Sequence, residues 1–422
     1  MLGVGIDAPA DALAIARALT GHHAVALVWT NGGKTAYIGC DPVEESRELD
    51  PEPGLTLCDR EGARFPRWFG LVPYEARRSL ERRSEDARPA AELSLPLWKR
   101  YDAVVEITNE VRVLGVSSQA TEELATTLGR ALCTPPGPRP ARIELAGRQE
   151  PGSAHVARIE RALELIGRGE IYEVNLARRF EFRVEGTPWD VFDALTADGR
   201  PPHSAVFAWP ELGVVAASPE LCLSLDPDGR ARTRPIKGTR PRHPDRERDG
   251  ALARELDADP KERAELAMVI DVERSDLGRV ALPGSVRLVE APRVESHPGV
   301  HHRVATVEAL LRPGVTRSEL FGAMLPSGSV TGAPKIRAME VIAELEPLRR
   351  GLYTGAFGVL RHDGGLELGM AIRVLTLEGS RGRYFSGGGI VADSSPEREV
   401  EETLWKASAL VRTTGGGVEN WA

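Results

Sequence analysis

The stretch GAFGVLRHDGGLELGMAIRVLTLEG, residues 355–379, decides the fold. Apolar and polar residues alternate on both sides of Asp363, Gly364 and Gly365, and such alternation around a glycine-containing turn is typical of a β-hairpin. Because the two arms of a hairpin run antiparallel, this stretch predicts an antiparallel sheet.

The neighbouring segments add helices to that sheet. YFSGGGIVADSSPEREVEETLWKASALV, residues 384–411, predicts a strand, a turn at glycines 387–389 and a helix. AHVARIERALELIGRG, residues 154–169, predicts a helix with a glycine stop, and residues 249–280 predict two helices that are broken at Pro260. Strands and helices occur in blocks, which favours an α+β fold with large antiparallel sheets over a doubly wound fold.

The chain divides by composition into three parts. Residues 1–132 mix strand-like and helical runs, and the first nineteen, MLGVGIDAPADALAIARAL, have helical spacing. Residues 133–154 are rich in proline, glycine and charge, so they are predicted to be a linker. Residues 155–415 have the densest pattern and are expected to carry the site.

Composition excludes several classes of function. Among 422 residues, 54 lysines and arginines stand against 62 aspartates and glutamates, a net charge of −8, which argues against a nucleic-acid binder held by bulk charge. The apolar runs are too short to span a bilayer, and the N-terminal stretch lacks the basic start of a signal peptide. Cys40, Cys58, Cys133 and Cys222 form no CxxC pair, so a cytoplasmic protein with free or buried thiols is expected.

One basic stretch, TRPIKGTRPRH at residues 233–243, poses a question of chemistry. Lys237 lies near Arg234, Arg240 and Arg242, and crowded cations would lower the pKa of a lysine towards neutrality, where its free amine is a nucleophile. The alternative is a strand end and a turn whose basic residues face water.

Two helical stretches present carboxylates three residues apart, and therefore on one helix face. The pairs are Glu262 with Glu265, and Glu399 with Glu402. Four hard oxygen ligands without histidine or cysteine companions suit Mg²⁺. The alternative is that each glutamate-rich face is simply solvated.

Two glycine-rich loops are suited to an anionic ligand, whereas the glutamate pairs are suited to a cation. PSGSVTGAPK, residues 326–335, offers the hydroxyls of Ser327, Ser329 and Thr331 beside a helix start, which favours a bound carboxylate or phosphate. The glycines at 387–389 would let a backbone approach a ligand closely. Each loop could also be a plain turn.

Taken together, these motifs resemble the chorismate-utilising enzymes, a family that includes the first components of anthranilate synthase and aminodeoxychorismate synthase and the isochorismate and salicylate synthases. The resemblance runs from Gly169 to Ala407 through GEIYEVNLARRF, SPE, PIKGT, ERAELAMVIDVERSDLGRV, PSGSVTGAPK, RGLYTGAFG, AIR and GGGIVADSSPEREVEETLWKA. It implies a large two-sheet α/β sandwich around a central cleft, with residues 1–132 as the N-terminal region of the same sandwich. It also implies that chorismate, a dicarboxylate, binds in the cleft through Mg²⁺.

The resemblance assigns roles to individual residues. It implies that Glu265 and Glu402 bind the metal with Glu262 and Glu399 beside them, and that Glu220 of SPE is the acid that protonates the departing hydroxyl. A raised pKa, from burial near other carboxylates, would suit that acid. Positions implied to contact the substrate are Thr239, His302, Ser329, Thr331, Tyr353, Arg373, Gly388, Gly389 and Lys406.

Four positions depart from the family pattern. Ser275, Ala305 and Ser327 stand where asparagine, serine and glycine are usual. Glu173 stands where ammonia-using members usually carry glutamine and water-using members carry lysine. A carboxylate cannot activate water as a free amine would, which argues against isochorismate chemistry, although it could serve as a base for ammonium.

Lys237 then selects the reaction. Anthranilate synthases typically have alanine in the middle of PIKGT, whereas the aminodeoxychorismate synthases that resemble this chain have lysine. The resemblance implies an amine-transferring enzyme in which Lys237 attacks the ring as the hydroxyl leaves, and ammonia then displaces the lysine to form 4-amino-4-deoxychorismate. No glutaminase pattern is visible, so a separate glutaminase subunit is the implied partner. Anthranilate synthesis and non-catalytic chorismate binding remain the alternatives.

Overall fold

The computed structural model describes residues 2–8, 10–53, 64–79, 88–147, 149–407 and 410. Cys58 and the end of the predicted site-bearing region, 411–415, lie outside the described residues. The helices are α1 Ala12–Ala18, α2 Ser118–Leu132, α3 Gly152–Gly167, α4 Pro188–Leu195, α5 Arg246–Ala258, α6 Pro260–Gly278, α7 Arg317–Met324, α8 Lys335–Leu345 and α9 Pro396–Lys406.

The strands of the described residues belong to two antiparallel sheets. The first eleven are β1 Leu2–Ile6, β2 Val25–Thr30, β3 Thr35–Gly39, β4 Glu44–Ser46, β5 Pro66–Val72, β6 Leu97–Arg100, β7 Ala103–Ile107, β8 Val111–Gly115, β9 Arg142–Leu145, β10 Glu173–Glu185 and β11 His203–Ala208. The others are β12 Gly213–Ser218, β13 Leu221–Leu225, β14 Arg230–Arg234, β15 Ile236–Pro241, β16 Arg287–His297, β17 Val300–Leu310, β18 Gly332–Ala333, β19 Ala356–Arg361, β20 Leu366–Met370, β21 Val374–Glu378 and β22 Arg381–Ile390.

Both sheets combine strands from the two halves of the chain. The first has the order β1-β8-β7-β3-β2-β11-β12-β21-β22-β10-β18, with β9 paired to β10. The second has the order β15-β17-β14-β13-β20-β19-β5-β6-β4, with β16 paired to β17. Because β2 pairs with β11 and β5 pairs with β19, residues 1–132 are integral to the sandwich, as the α+β two-sheet prediction requires.

The hydrophobic core lies in layers. Phe69 and Phe357 of the second sheet pack with Val28 and Phe207 of the first to fill the space between the sheets. Helices α1, α2 and α4 cover the outer face of the first sheet, and α6 and α7 cover that of the second. The predicted sandwich is thus confirmed, since each sheet buries one face against the other and its second face under helices.

Local signals at the two glutamate-bearing helices explain where they begin. Pro260 occupies the first turn of α6, and the Asp259 carboxylate accepts hydrogen bonds from the backbone N–H groups of Lys261 and Glu262. Helix α9 likewise begins at a proline, Pro396. The predicted break at Pro260 is therefore a helix start, and the hairpin predicted around Asp363 is formed by β19 and β20.

Three predictions about local structure were wrong. The glycines at 387–389 lie inside β22, paired with 175–177 of β10, rather than in a turn. The predicted linker contains β9 and the start of α3, because a strand of four residues needs no strong pattern when a neighbouring strand supplies its hydrogen bonds. The N-terminal stretch begins with β1, whose partner β8 lies far along the chain, before α1 starts at Ala12.

Candidate active site

A cavity of about 380 Å³ opens where β10 and β22 of the first sheet approach β15 and β17 of the second, beneath α6 and α9. Thirteen of the sixteen residues that the sequence singled out for a site line it. They are Glu220, Lys237, Thr239, Glu262, Glu265, His302, Ser329, Tyr353, Arg373, Gly389, Glu399, Glu402 and Lys406.

Lys237, in the cavity wall, forms an ion pair with Glu173, which is buried and is not itself part of the wall. The distance from Nζ of Lys237 to Oε1 of Glu173 is 2.5 Å, although 64 residues separate the two in sequence. Burial by itself lowers the pKa of the lysine, but the carboxylates of Glu173 and Glu265 outweigh it, so the pKa of Lys237 is raised above its ordinary value. Lys237 is therefore protonated at neutral pH in this structure.

The expected crowding of cations around Lys237 is wrong. Its side chain faces carboxylates, and the nearby arginines are neutralised by partners of their own. The partners are Glu295 for Arg234 at 2.8 Å, Asp259 for Arg240 at 2.9 Å and Asp249 for Arg242 at 2.8 Å.

Glu220 lies deep in the cavity wall, in the turn between β12 and β13. Only 4% of the residue is exposed, and Ser329 donates a hydrogen bond of 2.7 Å from its hydroxyl to Oε1 of the carboxylate. Burial, reinforced by the nearby carboxylate of Glu273, raises the pKa of Glu220 to about 7. This environment is the one predicted for a general acid, and it keeps a large share of Glu220 protonated near neutral pH.

Ser329 and Thr331 differ in their relation to the cavity. Ser329 lines it and contacts Glu220, whereas Thr331 is absent from its wall. The hydroxyl of Thr331 donates to the backbone carbonyl oxygen of Ser327 at 2.9 Å, so its hydrogen bond is used within the turn. Thr331 therefore lies outside the cavity wall, and its contact with a ligand stays a prediction.

Thr239 and His302 share a hydrogen bond across β15 and β17. The distance from Oγ1 of Thr239 to Nδ1 of His302 is 3.0 Å. Burial, together with the charge of Arg373, lowers the pKa of His302 to about 3. His302 is accordingly neutral and serves as a hydrogen-bonding wall.

Arg373 is the free cation of the site within the described part of the chain. It lies between β20 and β21 with a backbone φ of 51°, and no described carboxylate forms an ion pair with it. Burial lowers the pKa of the Arg373 guanidinium. Arginine side chains nevertheless stay protonated in proteins, so the group carries a positive charge. Tyr353 and Phe385 line the same cavity, and their rings stack with a centroid distance of 5.3 Å. A half-buried guanidinium without an ion-pair partner is suited to binding a carboxylate of a ligand.

The glutamates of α6 and α9 meet across the cavity. Burial raises the pKa of Glu262, although the charge of Arg240 opposes it, and burial raises the pKa of Glu399, although a hydrogen bond from Ser394 opposes it. Burial also raises the pKa of Glu265 to about 7. Burial also acts on Glu402, but an ion pair of 2.6 Å with Lys406 outweighs it and lowers the pKa. Four carboxylates so close together are costly when ionised, and a divalent cation would relieve that cost.

No three of these glutamates bring their carboxylate oxygens within 4.8 Å of one another. Within the ranges that the structure describes, one group of three His, Cys, Asp or Glu side chains has its ligand atoms within 4.8 Å of one another, namely His22, Cys40 and Asp41 near the ends of β2 and β3. That group lies outside the cavity wall. The chemistry of the four glutamate donors fits Mg²⁺, since all are hard oxygens facing one space.

The glycines of β22 make room for these groups. A Cβ atom at Gly389 would lie 2.2 Å from Oε1 of Glu173, and one at Gly388 would lie 3.2 Å from Oε2 of Glu399. Gly388 itself is not part of the cavity wall. The glycines thus give room to the carboxylates of Glu173 and Glu399, and the approach of this strand to a ligand stays a prediction.

Asn175 and Lys261 are among the residues of the cavity wall that the sequence reasoning missed. Asn175 lines the cavity, and its buried Oδ1 has no hydrogen-bond partner among the described residues. Lys261 lines it too and approaches Glu265 to 3.7 Å. Their signals were present, since Asn175 belongs to EVNL and Lys261 precedes Glu262, but neither pattern says which way a side chain points.

Comparisons with known proteins agree with this geometry. A family model described as chorismate binding enzyme matches residues 17–412. The chain is 44% identical over 259 residues to anthranilate synthase component 1 of Thermus thermophilus, a match that covers 61% of this chain and 56% of that protein. It is 42% identical over 243 residues to aminodeoxychorismate synthase component 1 of Salmonella typhimurium, covering 58% of this chain and 53% of that one.

These two matches span little more than half the length of the relatives. A solved structure extends the similarity over the whole fold. Anthranilate synthase component I from Streptococcus pneumoniae superposes with a TM-score of 0.77 at 26% identity, covering 90% of this chain and 92% of that one. With its cavity and its motifs in these positions, the chain belongs to the chorismate-binding enzyme family.

Proposed function

We propose that this chain is the chorismate-aminating component of an aminodeoxychorismate synthase, converting chorismate and ammonia into 4-amino-4-deoxychorismate. The observation that carries the proposal is Lys237, whose side chain lines the cavity in a motif where anthranilate synthases typically have alanine. Relatives of both activities have nearly the same identity to this chain, so the choice depends on this residue.

The cavity suits a small dicarboxylate. Its volume of about 380 Å³ lies within the range of small-molecule sites. Arg373 supplies an unpaired guanidinium, and Thr239 and His302 supply a polar wall. Mg²⁺ held by Glu265 and Glu402, with Glu262 and Glu399 beside them, would bind a second carboxylate and offset its charge.

Lys237 and Glu220 carry out the first half of the reaction. The amine of Lys237 forms a bond to the ring carbon beside the ring carboxylate, the double bonds shift, and the bond from the ring to the hydroxyl oxygen breaks. Glu220 gives its proton to that oxygen, which leaves as water. The raised pKa of Glu220 keeps this proton available near pH 7.

Ammonia completes the reaction. It attacks the carbon that carried the hydroxyl, the double bonds shift back, and the bond between the ring and Lys237 breaks. The carboxylate left on Glu220 takes the proton that the new ammonium group loses. Chorismate and ammonia thus yield 4-amino-4-deoxychorismate and water, and no pyruvate is eliminated.

A separate glutaminase subunit is the proposed source of ammonia. Of the described cysteines, Cys40 and Cys222 are buried, and burial raises the pKa of Cys40 to about 12. Cys133 is exposed at the end of α2, and its thiol donates to the backbone carbonyl oxygen of Gly129. None of these three is arranged as an activated thiolate nucleophile.

A product assay tests the proposal. Purified protein is incubated with chorismate, Mg²⁺ and ammonium, with and without a glutaminase subunit and glutamine, and the products are separated by chromatography. We expect 4-amino-4-deoxychorismate from the wild type and severe loss of it from Lys237→Ala. Fluorescent anthranilate would overturn the proposal, and so would an unchanged amination rate in Lys237→Ala.

Anthranilate synthesis is the second candidate, because a relative with that name is 44% identical to the matched part of this chain. A non-catalytic chorismate binder is the third. It would gain support if the wild type and Lys237→Ala both bound chorismate and neither turned it over. The presence of Glu220, Lys237, Glu265 and Glu402 in one cavity counts against it.

A further inference from the structure

The ion pair between Glu173 and Lys237 is not explained by nucleophilic attack alone. Its atoms are 2.5 Å apart, and the exposed fractions of the two side chains are 3% and 11%. An ammonium group has no lone pair, so the pair as it stands holds Lys237 in a form that cannot attack carbon. The proton on Lys237 must leave before the reaction and must be available again afterwards.

Three strands keep the pair in place. Glu173 is the first residue of β10, Lys237 lies in β15 of the other sheet, and Gly389 of β22 lies next to both. A Cβ atom at position 389 would come within 2.2 Å of Oε1 of Glu173 and 3.0 Å of Nζ of Lys237. The carboxylate is thus confined to the side of the lysine.

The other charged groups around Lys237 are less well placed to take its proton. Glu265 faces it from α6, Glu220 from the turn after β12, and Glu402 from α9. Among the described residues, Glu173 is the only carboxylate that forms an ion pair with Lys237. Glu220 must stay protonated for the departing hydroxyl, which leaves Glu173 as the acceptor.

We propose that Glu173 takes the proton of Lys237 when chorismate fills the cavity, holds it while the lysine is bonded to the ring, and returns it when the lysine leaves. This inference rests on the proposed function and extends it to a second residue. Glu173 is then a proton shuttle for Lys237, and not a base for ammonium.

The proton balance closes over one turnover. The ammonium of Lys237 and the carboxylate of Glu173 become an amine and a carboxylic acid, and the amine attacks the ring while Glu220 protonates the leaving hydroxyl. The lysine is later expelled as a neutral amine, and the carboxylic acid of Glu173 returns its proton to it. Glu173 and Lys237 end in their starting states.

Binding of the substrate supplies the reason for the transfer. Chorismate displaces water from the cavity, and an ion pair is less favourable in a dry site than in a hydrated one. A proton transfer across 2.5 Å turns two charges into two neutral groups without any movement of the backbone. The bound substrate therefore favours the neutral pair that the reaction needs.

Amine labelling tests the pair without substrate or metal. Lys237 is acetylated by trace acetic anhydride at a series of pH values, and its labelling is read by mass spectrometry in the wild type and in Glu173→Gln. We expect the midpoint for Lys237 to fall in Glu173→Gln. Glu170→Gln is the matched control. Glu170 lies three residues before Glu173, and its surface carboxylate pairs with Arg337 instead of Lys237.

Kinetics test the shuttle itself. At pH 7 we expect Glu173→Gln to lower the amination rate by about 100-fold, the usual scale of acid–base catalysis, while Glu170→Gln keeps the wild-type rate. The ratio of wild-type to Glu173→Gln rates should shrink as the pH rises to 9, because hydroxide and buffer then remove the proton that glutamine cannot accept. Since Glu220 titrates in both proteins, its effect cancels in the ratio.

Each outcome decides between the proposals. An unchanged labelling midpoint of Lys237, or a rate ratio that does not vary with pH, would overturn the proton shuttle. If 4-amino-4-deoxychorismate is still formed, the proposed function stands. An anthranilate product would overturn the proposed function and the shuttle together. Thermal unfolding of each variant shows whether a loss of rate reflects a loss of folded protein.

Discussion

Glu220 shows how position changes the chemistry of a single residue. A glutamate in water is ionised at neutral pH, whereas burial raises the pKa of Glu220 to about 7. The acid form is the one that the departing hydroxyl needs, and its population falls as the pH rises through that value.

We therefore expect the amination rate of the wild type, at saturating chorismate, Mg²⁺ and ammonia, to decline as the pH rises above about 7. Glu220→Gln should lose about 100-fold or more at pH 7, because glutamine has no proton to donate. The measurement is the rate of product formation from pH 6 to pH 9. A variant with wild-type rates would contradict the role of this acid.

Arg373 permits a test of binding. It lines the cavity without a described carboxylate partner, so a substrate carboxylate gains a charge-assisted hydrogen bond there. Arg373→Met should weaken chorismate binding by about 10- to 100-fold, which corresponds to the loss of about 1.5–3 kcal/mol. Isothermal titration with chorismate measures this, and Arg337→Met on the surface is the control. Equal affinity in the two variants would show that Arg373 does not hold the substrate.

At the scale of elements, α6 and α9 bring like charges together. Because the pKa of Glu265 is raised from 4.5 to about 7, its contribution to stability is full below its ordinary pKa and is lost as the pH rises through about 7. Glu262 and Glu399 are shifted in the same direction. Without a cation, these helices are thus held together more weakly in alkaline solution.

The expected consequence is a metal effect that depends on pH. Mg²⁺ binds the ionised carboxylates, so it should raise the unfolding temperature more at pH 8 than at pH 6. Glu265→Gln should reduce the shift at pH 8. Scanning fluorimetry at matched ionic strength measures both, with Na⁺ as the control. Equal shifts at the two pH values would argue against a metal between these helices.

A fully buried arginine, Arg350, makes hydrogen bonds just after the end of α8. Arg350 donates two hydrogen bonds to the carboxylate of Glu346 and others to the backbone carbonyl oxygens of Asn175 and Val330. It thereby joins α8, β10 and the loop that carries Ser329. These hydrogen bonds help to hold the loop in place, and Ser329 of that loop donates the hydrogen bond to Glu220.

Arg350→Met should lower the free energy of unfolding by about 3–5 kcal/mol, because the carboxylate of Glu346 is left buried without its partner. Arg337→Met, at a partly exposed position of α8, should cost at most about 1 kcal/mol. Urea unfolding followed by circular dichroism compares the two. Similar losses in both variants would contradict the buried role of Arg350.

At the scale of the whole molecule, the site-bearing region cannot stand apart from the N-terminal region. Strand β2 pairs with β11, β5 pairs with β19, and the core between the sheets draws residues from both halves. A fragment of residues 152–422 would expose the edges of two sheets and half of that core. The division of the chain by composition is therefore not a division of the fold.

We expect the fragment 152–422 to show no cooperative thermal transition when it is produced alone. Co-production with residues 1–147 should restore the transition, because the two pieces then complete both sheets. Calorimetry on both preparations, with the intact chain as the reference, provides the measurement. Cooperative unfolding of the isolated fragment would refute the interdependence.

Local patterns in the sequence were sufficient for much of this structure. The helices at α3, α5 and α6, the hairpin of β19 and β20, and the glutamate pairs at spacing three follow from the periods of 3.6 and 2, which depend only on neighbours along the chain. Most residues that the family resemblance assigned to the site line one cavity. These features needed no knowledge of which strands would meet.

Tertiary structure decided whatever depends on residues far apart in sequence. It placed Glu173 against Lys237, gave the three arginines other partners, and set the glycines at 387–389 in a strand beside β10. Ion pairs and pKa shifts depend on distances and burial in three dimensions. The identities of residues that are neighbours along the chain do not determine them. The sequence alone therefore determined most of the residues that meet at the site and which reaction to propose. The packing of two sheets determined the charge that Lys237 carries and the carboxylate partner that can change it.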